Sequence, residues 1–116
     1  MFAHGSSVES ANEAVRVVTR RVAGANGYSL METAFLEGGK PSLSEGVGLL
    51  LRQGADRIVV IPYFLTLGLH LKRDLPRLIH EAREQYPDLG AIEVTEPLDG
   101  HPALDQIVRD RAEAAR

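Results

Sequence analysis

Arg57-Ile58-Val59-Val60-Ile61-Pro62-Tyr63 is the stretch on which the fold turns. Ile58 to Ile61 are all β-branched and apolar, which predicts a strand. With no polar residue alternating in the run, both faces read as buried. That suits a parallel strand covered by helices on either side.

Working outward, the preceding segment has helical periodicity. Leu43, Val47, Leu50 and Leu51 form an apolar stripe, Ser42-x-x-Glu45 reads as a capping box behind Pro41, and Gly54 ends the helix. After Tyr63, Leu71, Leu75, Leu78, Ile79, Ala82 and Tyr86 define another helix, with Pro76 early in it and Pro87 closing it. Further out, Ala91 to Thr95 reads as a strand, and Leu104, Ile107 and Val108 mark a last helix after His101-Pro102. On the other side, Tyr28 to Leu36 reads as a strand broken by Gly38-Gly39. Val8, Ala11, Val15, Val18 and Val22 share one helical face, with Ser6 and Glu9 as a capping box and Gly24 and Gly27 at its end. Met1-Phe2-Ala3 leaves a first strand of three residues, shorter than the usual five or six or so.

The order β-α-β-α-β-α-β-α predicts one α/β domain over residues 1–116: a three-layer α/β/α sandwich around a four-stranded parallel sheet. Ligands of such sheets bind beyond the carboxyl ends of the strands. Composition narrows the classes. Hydrophobic residues make up 44% and charged residues 25% of the 116, a globular balance, and a net charge of −3 leaves no basic footprint for nucleic acid. The absence of cysteine removes disulfides, thiolate zinc sites, iron–sulfur clusters and a catalytic thiol. No run approaches a membrane span of about 20 apolar residues. Met1 leads directly into Phe2-Ala3-His4 without a charged signal-peptide region, so a cytoplasmic protein is expected.

Three strand ends share one rim, and each supplies a metal-ligand candidate. They are His4 in Ala3-His4-Gly5-Ser6-Ser7, Glu37 in Ala34-Phe35-Leu36-Glu37-Gly38-Gly39, and His70 in the segment running from Pro62 to Gly68-Leu69-His70. Two imidazoles and a carboxylate suit iron, cobalt, nickel or zinc, and a neutral imidazole also accepts protons near neutral pH. His80 and His101 read as surface or capping residues.

Three stretches together resemble the CbiX class of chelatases, the sirohydrochlorin cobalto- and ferrochelatases and their nickel-inserting relatives. They are Ala3-His4-Gly5-Ser6; Ala34-Phe35-Leu36-Glu37 with Pro41-Ser42-Leu43; and Ile61-Pro62-Tyr63-Phe64-Leu65 continuing through Gly68-Leu69-His70-Leu71-Lys72-Arg73-Asp74-Leu75-Pro76. The last is the most specific. The resemblance implies a chelatase-like, flavodoxin-like topology. It also implies insertion of Co2+, Fe2+ or Ni2+, as substrate and with no organic cofactor, into sirohydrochlorin or a related tetrapyrrole. It assigns metal binding and catalysis to His4 and His70, with Glu37 as a third ligand. It further implies the short, single-domain form, which works as a homodimer.

In that reading Tyr63, Phe64, Leu65 and Leu69 cover a face of the macrocycle. Lys72 and Arg73 pair with its peripheral carboxylates, and the backbone at Ser6 holds one more. The competing reading is a non-catalytic tetrapyrrole- or metal-binding module of the same fold. Histidine phosphatases place an arginine directly before the histidine, where this chain has Ala3. Gly5 has no partners for a dinucleotide fingerprint.

Overall fold

The structure, a computed structural model, describes residues 1–116. Its elements are β1 (Phe2–Ala3), α1 (Glu9–Asn26), β2 (Ala34–Phe35), α2 (Leu43–Arg52), β3 (Arg57–Val60), α3 (Leu69–Gln85), β4 (Ala91–Val94) and α4 (Pro102–Ala114). The strict alternation of strand and helix is the one expected.

The strands are parallel but form two pairs. In one, Phe2 faces Ala34 and Ala3 faces Phe35; in the other, Ile58 faces Ile92 and Val60 faces Val94. A single parallel bridge between Phe2 and Pro62 joins them. There Phe2 N donates to Ile61 O at 2.9 Å and Tyr63 N donates to Phe2 O at 2.7 Å. Two two-stranded sheets therefore stand where one four-stranded sheet was expected. The reason is local: β1 has two residues, and Pro62 has no N–H with which to continue the ladder. Even so, the carboxyl ends of β1, β2 and β3 lie side by side.

The core lies between the strands and two helices. Phe2, Ala34, Ile58, Val60 and Ile92 pack with Leu43 and Val47 of α2 and with Leu71, Leu75 and Ala82 of α3. The capping box of α2 forms as read: Ser42 Oγ accepts from Glu45 N at 3.2 Å, and the Glu45 carboxylate accepts from Ser42 N at 2.9 Å. These bonds satisfy two of the helix's orphan donors.

Four local expectations are corrected. The strand expected over Tyr28 to Leu36 contracts to Ala34–Phe35, the two residues that face Phe2 and Ala3 of β1. Ser6 and Glu9 make no capping box. The N-cap of α1 is Val8, Ser6 Oγ accepts from Val8 N at 3.0 Å, and Glu9 turns to Arg16. The valine face of α1 is only partly covered, and its fully buried residues are Asn12 and Thr19. Thr19 is matched by Thr33, whose hydroxyl donates to it at 2.8 Å. Lastly, β3 is buried on one face only. Ile58 and Val60 point into the core while Val59 remains 41% exposed. No residue of α4 is buried, so the second helical layer is incomplete there. The radius of gyration of 15.2 Å and longest extent of 54 Å reflect that openness, since a compact chain of this length has a radius near ~13 Å.

Candidate metal site at the strand ends

His4 and Glu37 follow the carboxyl ends of neighbouring parallel strands. Leu36 N donates to Ala3 O at 2.9 Å and Glu37 N donates to His4 O at 3.0 Å, so the two loops leave the sheet together. Glycine permits the closeness. Gly5 has φ +89°, and a Cβ there would lie 1.6 Å from Glu37 O. Gly38 has φ +69°, and a Cβ there would meet the Ser6 backbone at 2.8 Å. Each loop thus seats a glycine against the other's backbone, in a conformation that L side chains rarely adopt.

The two side chains converge above this contact. His4 Nε2 lies 3.5 Å from Glu37 Oε1, and both groups are exposed. His4 Nδ1 lies 3.1 Å from Gly5 O. A carbonyl only accepts, so in the neutral ring this contact places the proton on Nδ1 and leaves a lone pair on Nε2. In that tautomer two acceptors, the imidazole lone pair and the carboxylate, face each other, and a cation placed between them would be attracted to both. Ligand atoms about 2.1 Å from one ion, at 90–110°, are ~3.0–3.4 Å apart. The observed 3.5 Å is close to that spacing.

His70 is exposed in the first turn of α3, behind Gly68 as N-cap. No group of three His, Cys, Asp or Glu side chains converges anywhere in the chain, so His70 stands apart from the His4–Glu37 pair. Around it, Leu65 is 65% and Leu69 76% exposed, an unusual position for leucine. Tyr63 and Phe64 are half-buried, and the Phe64 ring lies 6.1 Å from that of Phe2, which ties this loop to β1. The loop is also bonded to the one after β4, since Leu98 N donates to Phe64 O and Asp99 N to Leu65 O. Lys72 and Arg73 are exposed, and the neighbouring Asp74 pairs with Arg77 instead. Ser6 contributes backbone and a local hydroxyl contact, and its N–H is already bonded to Asn12. The hollow beneath α2, lined by Met1, Phe2, Ala34, Val47 and Val60 among others, is apolar and does not include His4 or Glu37.

Sequence reasoning missed Asn12. It is 1% exposed, its Oδ1 accepts from Ser6 N at 2.9 Å, and its Nδ2 donates to Ser6 O at 2.8 Å and to Gly38 O at 3.0 Å. A polar residue beside Ala11, on the inward side of an otherwise valine-rich helix, was the available signal. Of the remaining histidines, His101 caps α4 by accepting from Ala103 N at 3.0 Å, and His80 pairs with Glu84 on the surface.

The CbiX family profile matches residues 1–115. The chain is 32% identical over 108 residues to the chloroplastic sirohydrochlorin ferrochelatase of Arabidopsis thaliana, covering 93% of this chain and 48% of that protein. Among solved structures it is similar to the sirohydrochlorin chelatase SirB from Bacillus subtilis subspecies spizizenii in complex with cobalt. The TM-score is 0.88 at 26% identity, over 97% of this chain and 48% of that one. It is also similar to a CbiX protein from Marinobacter aquaeolei VT8, with a TM-score of 0.76 at 28% identity, over 98% of this chain and 92% of that one. The chain spans about half the length of the curated relatives it matches.

Proposed function

The chain belongs to the CbiX family, and from that premise we propose that it inserts a divalent metal, Co2+, Fe2+ or Ni2+, into sirohydrochlorin or a close relative. The observation that carries this reading is the His4–Glu37 pair, 3.5 Å apart at adjacent strand ends. It offers a nitrogen and an oxygen ligand on an exposed rim. His70, exposed in the first turn of α3, supplies the other imidazole.

The chemistry follows from charge balance. A free-base tetrapyrrole holds two N–H protons, and both leave as one divalent ion enters. An imidazole or the carboxylate at the rim accepts them. The ion must also be released, so an open set of weak ligands suits transfer better than a closed four-ligand cage. Exposed Leu65 and Leu69, with Tyr63 and Phe64 behind them, present apolar surface to the macrocycle. Lys72 and Arg73 meet its carboxylates, and the Ser6 turn flanks the ring. No organic cofactor is required, because the reaction exchanges a metal for protons without redox change.

The working unit in this reading is a homodimer. The unburied α4 and the uncovered outer face of β3 and β4, with Val59 exposed, support it. The relatives at about twice this length fit the same arrangement. A cytoplasmic location and the absence of nucleic-acid or membrane partners complete the proposal; no helix is long and apolar enough to cross a membrane.

The test is direct. Purified protein is mixed with sirohydrochlorin and each metal in turn, and the absorbance change is followed. The expected result is insertion faster than the uncatalysed rate for at least one metal. If no metal gives it, the enzyme reading fails and the non-catalytic binding module replaces it.

A further inference from the structure

We propose that Asn12 is a positioning residue for metal transfer: a buried amide strut that sets the His4 loop against the Glu37 loop, so that their two side chains reach one ion. The inference rests on the reading of His4 and Glu37 as metal ligands.

The argument starts from what the amide bonds to. Three hydrogen bonds of the Asn12 side chain go to backbone in the two loops that carry His4 and Glu37. Ser6, two residues after His4, is held through both its N–H and its carbonyl, at 2.9 and 2.8 Å. Gly38, one residue after Glu37, is held through its carbonyl at 3.0 Å. One acceptor and two donors are needed in that place, and among side chains of this length only asparagine offers them. Aspartate would set a carboxylate against two carbonyl oxygens. Alanine would leave one buried N–H and two carbonyls without this partner.

The position of the strut explains what it controls. Beyond the last sheet bond the loops share one backbone hydrogen bond, Glu37 N to His4 O. One bond fixes a separation but leaves the loops free to twist about it. Asn12 adds a second tie on the far side of Gly5 and Gly38, anchored to the first turn of α1. With two ties, the backbone fixes the direction of the Cα–Cβ bond at both His4 and Glu37, which limits the rotamers that bring the two side chains together. The exposed His4 and Glu37 side chains have little packing of their own to orient them, so their alignment comes from beneath. Groups that orient metal ligands typically change affinity by about 10–100-fold when removed.

The experiment measures Co2+ binding by titration and by the ligand-field spectrum of the bound ion. It compares the wild-type chain with Asn12→Ala, the near-isosteric Asn12→Asp, His4→Ala, Glu37→Ala and Val47→Ala. Val47 lies in the core under α2 and serves as a destabilised control. Thermal melts place every titration well below the Tm. The strut predicts Co2+ affinity at least tenfold weaker and an altered spectrum in both Asn12 variants, with Val47→Ala binding as wild type despite a lowered Tm. If Asn12→Ala does not fold, Asn12→Asp carries the same prediction. Asn12 variants with wild-type affinity and spectrum, beside weakened His4→Ala and Glu37→Ala, overturn the strut alone. Undiminished binding in His4→Ala and Glu37→Ala overturns the ligand reading, and the strut with it.

Discussion

Gly5→Ala tests the interlock of the two loops that carry His4 and Glu37. Gly5 has φ +89°, and the added Cβ would fall 1.6 Å from Glu37 O, well inside any contact a real methyl group makes. The left-handed backbone costs alanine roughly 1–2 kcal/mol. Forcing the methyl into filled space typically adds ~1–3 kcal/mol more. The sum, roughly 2–5 kcal/mol, is a large share of the ~5–15 kcal/mol that keeps a domain folded. For a chain of 116 residues, a change of 1 kcal/mol moves Tm by roughly 4 °C, so the expected fall is ~8–20 °C.

The neighbour that must yield is the Glu37 carbonyl, so Co2+ affinity falls as well, even below the new Tm. Gly24→Ala is the matched control. Gly24 lies within α1 with no heavy atom within 4 Å of an added Cβ, and alanine there gains about 0.5–1 kcal/mol from helix propensity. The two alanines should therefore shift Tm in opposite directions, read by circular dichroism melts alongside Co2+ titration. A Gly5→Ala protein with wild-type Tm and wild-type Co2+ affinity would refute the interlocked geometry.

Other outcomes follow from the same structure. His70→Ala should abolish metal insertion and leave Tm unchanged within error, because the side chain is exposed and outside the core; normal turnover would remove His70 from the mechanism. Ser42→Ala deletes the acceptor for Glu45 N and should lower stability to urea by about 1 kcal/mol. Glu45 is held below the ordinary carboxylate range, first by the Ser42 backbone N–H, then by the Ser42 hydroxyl and by Lys40. Its folded form therefore releases its proton more readily than the unfolded form. Its contribution is complete above the unfolded value and is lost as pH falls through the folded one. The stability gap between wild type and Glu45→Gln should therefore narrow from about pH 6 to about pH 3, and a gap that widens would contradict the capping box. Light scattering should give twice the 12.6 kDa of the single chain, and a monomer mass at working concentration would end the dimer reading.

Local patterning made much of the molecule legible. The stripes at Leu43 to Leu51 and Leu71 to Tyr86 became α2 and α3, and the Ser42–Glu45 box formed where it was read, because these signals depend on residues within one or two turns. The β-branched run became β3, but its second buried face did not appear. Composition can say that Val59 tolerates burial; only packing decides whether anything lies over it. The strand expected from Tyr28 failed for a related reason. Pairing needs a partner, and β1 supplies two residues.

The site divides in the same way. Residue types and their order placed His4, Glu37 and His70 at strand or helix ends, since parallel topology sends every carboxyl end to one edge. Their mutual distances were not legible. His4 and Glu37 meet because Gly5 and Gly38 let two backbones touch and Asn12 ties them from below, contacts that span 26 residues between Asn12 and Gly38. His70 remains apart because it rides on α3, whose place is set by Leu71 and Leu75 in the core. The sequence by itself determined the alternation of strands and helices, the absence of thiol chemistry and the identity of the ligand candidates, all properties of residue type and short-range spacing. The tertiary structure alone decided which candidates meet, because that depends on which backbones can approach within a hydrogen bond of each other.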